Sequence, residues 1–199
     1  MRPTEPRRPT MPSQVLGGDA KFSRCICVGC CWARDKDELR MKTPVQFQLN
    51  GEEVAAFADG GANLLDVLRE AIGDLSVKGG CWQGTCGTCT VLIVGAPRLA
   101  CVTLAESCVG KSIETVAGLR RGADLHPLQT AFMERFAAQC GYCTPGMLMA
   151  AKALLDRNPN PTRENVVDAI CGNICRCTGY EPIIAAILDA AAGAGRHRA

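Results

Sequence analysis

The chain has almost no excess charge: 22 Lys and Arg stand against 20 Asp and Glu, a net of +2 over 199 residues. That is too little to argue for nucleic acid or an anionic membrane surface as a partner. No apolar run approaches the roughly 18 residues a membrane-spanning helix needs. A secretory signal is missing as well. Arg7-Arg8 is a twin arginine, but the PTMPSQVLGGDAKFSR after it has no apolar core, so export is not expected. The expected location is the cytoplasm, a reducing compartment. There is no nucleophile–base constellation, no G-x-G-x-x-G turn and no phosphate loop. Substrate chemistry is therefore not expected on this chain.

Cysteine is what the chain has in excess, with 14 residues. Such density means disulfides, metal or both, and in a reducing compartment clustered thiols point to metal. The rest is ordinary for a globular protein, 47% apolar and 21% charged, and long enough to bury a core as one medium domain or two small ones.

Residues 1–40 differ from the remainder of the chain. They are rich in Pro and Arg, carry eight basic and five acidic side chains and show no period, so disorder is expected. Met41 leads straight into a strand-like pattern, and residues 1–40 read as an upstream extension. From there Val45, Phe47 and Leu49 alternate with polar residues, Asn50-Gly51 is a two-residue hairpin turn, and 53–57 returns. Asn63 can cap a helix whose Leu65, Leu68 and Ile72 share a face and which Gly73 can end. A cysteine loop comes next, then a strand over 90–94 and a turn at Gly95-Ala96-Pro97 into 98–103. Strands flanking one helix suggest a small α+β sheet domain ending near Gly118.

Beyond 120–124 the period becomes helical. His126-Pro127 opens a segment with Leu128, Phe132 and Phe136 on one side. Thr144-Pro145 opens a second over 147–155, Thr162 can cap a third over 163–171, and Pro182 starts a fourth. In that last helix Ile184, Ile187, Leu188 and Ala191 face inward, and Gly193 ends it. Four short helices with short connections read as a compact bundle.

Within CWQGTCGTCT, Cys81-x4-Cys86-x2-Cys89 has the spacing of plant-type ferredoxin loops, which require a distant fourth thiolate. Cys101 supplies it, because a strand and a turn can bring it back to the loop. Gly79, Gly80, Gly84 and Gly87 suit a loop that wraps tightly and approaches closely. Zinc motifs more usually pair C-x2-C with C-x2-C. A second quartet is Cys140-Gly-Tyr-Cys143 with Cys175-Arg-Cys177. Taken alone, four cysteines could equally hold one zinc ion, and spacing does not separate [2Fe-2S] from [4Fe-4S].

The strings GGCWQGTCGTCTVLI, ACVTLA, LHPLQTAF, QCGYCTPGM and GNICRCTGYEP occur in that order. Together they resemble the iron–sulfur subunit of the xanthine oxidase family of molybdenum hydroxylases, over about residues 41–192. That family includes aldehyde oxidoreductases, carbon monoxide dehydrogenases and bacterial dehydrogenases of N-heterocycles. The resemblance implies an α+β fold: a β-grasp, plant-type-ferredoxin-like domain (41–118), then a four-helix domain (119–199) with a short disordered tail. Each domain would carry one [2Fe-2S] cluster. Cys81, Cys86, Cys89 and Cys101 would ligate the outer one, and Cys140, Cys143, Cys175 and Cys177 the inner one.

The resemblance also implies that Gln139 and Cys177 approach the pterin of a molybdenum cofactor held on a large subunit. A Gln amide and a cluster-bound thiolate can both accept from a pterin amino group. Electrons would pass to an FAD-binding medium subunit or to a cytochrome. Trp82 departs from the small or acidic residue usual in relatives, either as a packing change or as an altered face for a redox partner. The rival reading is a zinc-stapled structural or binding module without redox role.

Among the other thiols, Cys108 and Cys171 are expected as small buried side chains. Cys25, Cys27, Cys30 and Cys31 form CICVGCC in the leader, with a spacing that matches no known site. His126 is expected to make a structural hydrogen bond, and Met147 and Met149 to be core. Iron analysis should give the same iron per chain for a protein beginning at Met41 as for the full sequence. A loss of metal on removing residues 1–40 would make CICVGCC a third site.

Overall fold

The computed structural model describes residues 42–120 and 122–196. The leader with its CICVGCC, expected to be disordered, lies outside the described residues. Strands β1 (Lys42–Leu49) and β2 (Glu52–Asp59) make the expected hairpin, paired antiparallel from Lys42↔Asp59 to Leu49↔Glu52. Asn50 (φ 53°) and Gly51 (φ 91°) close it, the two positive φ values that a tight hairpin turn of this type demands. Val45, Phe47 and Leu49 are buried, while the alternate Gln46 and Gln48 are exposed.

Helix α1 (Leu64–Asp66) runs on as a π-helical turn over Val67–Ile72. Asn63 caps it, its side-chain oxygen accepting from the Asp66 N–H at 2.9 Å, and Gly73 ends it with φ 86°. Leu65 and Leu68 are fully buried and Ile72 is half-buried against the same core.

Three further strands complete a five-stranded sheet in the order β2-β1-β5-β3-β4: β3 (Thr90–Ile93), β4 (Ala96–Leu99) and β5 (Ser112–Glu114). The β3–β4 turn falls one residue earlier than expected, at Val94 (φ 51°) and Gly95 (φ 72°). Pro97 therefore lies within β4, which its place at the sheet edge tolerates because no ladder bond is needed on the outer side. Strand β5 is not apparent in the sequence. It has three residues with one buried position, Ile113, too short to show an alternation.

Four helices complete the chain: α2 (Pro127–Glu134), α3 (Thr144–Arg157), α4 (Arg163–Ile170) and α5 (Glu181–Arg196). His126 makes the expected structural bonds. Its Nδ1 accepts from the Leu128 N–H at 3.2 Å, and its own N–H donates to Gln129 Oε1 at 2.9 Å. Thr162 caps α4 by accepting from the Asn165 N–H at 3.3 Å. Met147 and Met149 are core.

Two expectations fail here. Helix α2 ends before Phe136, which takes φ 52° and is 81% exposed rather than facing inward. Helix α5 passes through Gly193 to Arg196, since glycine inside a helix costs only about 1 kcal/mol against alanine. Among the described residues no helix is long and apolar enough to cross a membrane.

The sheet and helices meet along β3, whose four residues are all buried. Val91 and Ile93 enter the core shared with β1 and α1, while Leu92 enters the core of the helices. Beside it the backbones nearly touch. A Cβ on Gly146 of α3 would lie 2.2 Å from the Gly87 carbonyl oxygen, and one on Gly87 would lie 2.3 Å from the Gly172 carbonyl oxygen. Gly146→Ala should therefore lower stability by about 1–3 kcal/mol through overpacking. Gly172→Ala, whose Cβ would meet nothing within 4 Å, should stay near the parent, both read by denaturant unfolding.

Candidate metal centres

The first quartet is assembled by the β3–β4 hairpin. Cys89 immediately precedes β3, and Cys101 lies on the short turn Ala100–Val102 that comes after β4. The last strand pair, Thr90↔Leu99, and the Ala100 N–H donating to the Cys89 carbonyl at 3.2 Å hold these two thiols side by side. Cys81 and Cys86 come from the preceding loop, folded by positive φ at Trp82 (58°), Gly84 (79°) and Gly87 (70°). A Cβ on Gly80 would sit 2.9 Å from Cys86 Sγ, so the loop closes on its sulfur only because that position is bare.

The thiols of this quartet differ in environment. Thr85 first, then the backbone N–H groups of Gln83, Cys86 and Thr85, lower Cys81 to about 5 against the opposing effect of desolvation. The Thr85 N–H lies 3.3 Å from Cys81 Sγ. Burial pushes Cys89 up to about 11, with the Cys101 thiol and Cys86 adding to it and a backbone N–H of Cys101 opposing. Cys89 and Cys101 are buried, Cys81 and Cys86 partly exposed.

The second quartet joins the start of α3 to the segment between α4 and α5. Burial, then the Cys175 thiol and Cys140, push Cys143 up to about 12. Burial also acts to raise Cys175, but the Thr178 hydroxyl, the Cys177 and Thr178 N–H groups and the Cys143 thiol outweigh it and leave Cys175 low. The Thr178 hydroxyl lies 3.1 Å from Cys175 Sγ. Cys177 is raised first by its contact with the Cys140 thiol. Cys143 thus neighbours Cys175 and Cys140, and Cys177 neighbours Cys140 and Cys175, so the four thiols lie together.

Cys140, Cys177 and Gln139 are exposed on one edge, whereas Cys175 is buried. Contrary to expectation, Cys171 is exposed at the end of α4; Cys108 is buried as expected.

Among the described residues no three His, Cys, Asp or Glu side chains converge as they would around a single ion. Four cysteines at each centre suit a [2Fe-2S] cluster, in which each iron takes two thiolates. The donor chemistry fits as well. Thr85 and Thr178 already approach sulfur, and the buried Thr144 hydroxyl beside Cys143 has no partner among the described residues, leaving a donor for a sulfur acceptor. The threonines carry no motif signal of their own in the sequence, although Thr85, Thr144 and Thr178 each lie within two residues of a cysteine of the motifs.

Residues 47–106 match the family model of the 2Fe-2S iron–sulfur cluster binding domain, and residues 115–188 that of the [2Fe-2S] binding domain. The nicotine 6-hydroxylase small subunit of Paenarthrobacter nicotinovorans is 46% identical over 149 residues, 75% of this chain and 90% of that one. The nicotinate dehydrogenase small FeS subunit of Eubacterium barkeri is 47% identical over 146 residues, 73% of this chain and 93% of that one. The solved structure of quinoline 2-oxidoreductase from Pseudomonas putida 86 superposes with a TM-score of 0.76 at 46% identity, covering 78% of this chain and 97% of the matched one. Two cysteine quartets on a five-stranded sheet and four helices, with this likeness along nearly the whole length of such subunits, establish the membership: the chain belongs to the small, [2Fe-2S]-binding electron-transfer subunits of the molybdenum hydroxylases.

Proposed function

We propose that Cys81, Cys86, Cys89 and Cys101 ligate the outer cluster and Cys140, Cys143, Cys175 and Cys177 the inner one. Gln139 and Cys177 then face the pterin of a molybdenum cofactor on a large subunit. The two clusters divide between a ferredoxin-like domain over residues 41–118 and a helical domain over 119–199. When bound, the clusters supply one-electron carriage between a two-electron oxidation on the large subunit and an FAD subunit or a cytochrome, with about −400 mV as the plant-type starting potential. The named relatives support an N-heteroaromatic ring as the substrate of such a large subunit.

The observation that carries this reading is the uneven exposure of the second quartet. Gln139, Cys140 and Cys177 form an accessible edge, and Cys175 lies beneath it. That edge offers acceptor atoms to a docked cofactor while the core side is kept from water. The chain's residues have three tasks at these centres. Cysteines supply thiolates, glycines keep bulk out of the loop, and donors such as Thr178 stabilise negative charge on sulfur. The last effect grows with reduction, because the reduced centre carries more charge.

Cys143→Ser or Cys175→Ser should abolish turnover from substrate to acceptor in the assembled complex while substrate still binds; full turnover would overturn the inner-cluster assignment. Thr178→Val should lower the potential of the centre at Cys175 by about 20–60 mV, one neutral hydrogen bond for a one-electron couple, read by EPR-monitored redox titration. The parent should be reddish-brown with two EPR signals on reduction, and colourless protein containing zinc would refute the redox role.

A further inference from the structure

We infer that Asn173 is a positioning residue that sets the outer cysteine loop against the inner one, an inference resting on the two-cluster reading above. Asn173 is only 5% exposed and stands two residues before Cys175. Its Nδ2 donates to the Gly87 carbonyl at 2.8 Å and reaches Thr90 Oγ1 at 3.4 Å. The next residue continues the contact, with the Ile174 N–H donating to the Cys86 carbonyl at 2.9 Å. Tyr142, between Cys140 and Cys143, donates its hydroxyl to the Gly79 carbonyl at 2.6 Å.

In three of these four bonds the acceptor is a main-chain carbonyl of the outer loop, and in each the donor lies on a segment carrying the inner quartet. One hydrogen bond therefore separates the main chain of Cys86 from that of Ile174, whose neighbour is Cys175. Every described peptide here is trans, so a carbonyl and the N–H after it point to opposite sides. Holding the Cys86 and Gly87 carbonyls toward the inner segment turns the N–H groups of Gly87 and Thr88 away from it. The loop's peptide orientation and its spacing from the inner quartet are thus set together.

Asn173 does this rather than merely filling space because its partner can only accept. The amide nitrogen must face Gly87, which fixes the side chain's rotation. The Gly87 carbonyl also accepts from the Thr90 N–H at 3.1 Å and the Thr90 hydroxyl at 2.6 Å. Losing Asn173 therefore does not orphan that oxygen; it removes one of the ties that cross between the loops. Asn173→Asp is the sharp variant: the shape is kept, but a carboxylate oxygen replaces the donor and opposes the carbonyl.

The test uses the purified complex and reads two quantities, hydrogen exchange at the Ile174 amide and the EPR spectrum of the fully reduced protein. In Asn173→Asp and Asn173→Ala we expect that amide to exchange about tenfold faster or more, as loss of one supporting hydrogen bond implies. The magnetic interaction between the two reduced centres should weaken, with iron per chain and the inner centre's own signal retained. In Thr103→Val, which removes a hydroxyl donating locally to the Leu99 carbonyl at 2.9 Å and making no bond to Asn173, the Ile174 amide should stay as protected as in the parent. Parent-like exchange and parent-like coupling in the Asn173 variants, even with a lower Tm, would reduce Asn173 to a packing residue and overturn the inference.

Equal opening in Thr103→Val would overturn it too. Should neither Asn173 variant accumulate, the parent decides: an Ile174 amide exchanging as fast as a surface amide sinks the bridge, and one protected until global unfolding supports it. A parent without iron or EPR signal would instead sink the two-cluster reading, leaving the exchange result to be read by itself.

Discussion

The close approach of Gly87 to α3 and to the segment after α4 is the contact on which the rest of the structure depends. With a side chain at Gly87 or Gly146 the Cβ atoms would fall 2.2–2.3 Å from carbonyl oxygens, so the two backbones could not lie where they do. Because they do, one short stretch is shared by both quartets. The loop ends in Cys89 and becomes β3; β3 pairs with β4, and β4 delivers Cys101. On the other side of the contact α3 starts beside Cys143, and the segment after α4 carries Cys175. A displacement at this point would move both sets of sulfurs.

The apolar packing is arranged to keep that contact in place. Strand β3 sends Leu92 into one core and Val91 and Ile93 into the other, so the sheet is clamped from both faces. Buried polar groups add direction to this non-directional burial. Thr115, fully buried, accepts from Asn50 Nδ2 at 3.0 Å and donates its hydroxyl to Asp74 Oδ2 at 2.7 Å. Its own N–H donates to Asn50 Oδ1 at 2.8 Å. Asn50 thus closes the first hairpin and also ties it to the end of the π-helical turn, where Asp74 lies.

Much of the local structure was legible because single residues specify it. Asn50-Gly51, the Asn63 cap, the Gly73 stop and the caps at His126 and Thr162 all appear where backbone angles or orphan N–H groups call for those side chains. The misreadings share one origin, which is that context outweighed a local signal. Val94 accepts a positive φ that its β-branched side chain disfavours, because the β3–β4 pairing places the turn there. Phe136 keeps a helical spacing but lies past the end of α2, outside the core. Cys171 has the size of a core residue, yet it stands at the exposed end of a helix. Strand β5 is defined by its two neighbours, and three residues carry too little pattern to announce it.

By itself the sequence determined the local chemistry: which cysteines are grouped, that glycine surrounds the first group, and that the five motif strings run in the order of one family. These properties depend on neighbours along the chain. Only the tertiary structure decided that the four thiols of the second quartet lie together, brought from the start of α3 and the segment after α4, and which of them face outward. It also decided that Asn173, two residues before a cysteine and inconspicuous in the sequence, reaches 86 residues back to Gly87. Contacts over such separations are set by the packing of whole strands and helices, and no local pattern in the chain encodes them.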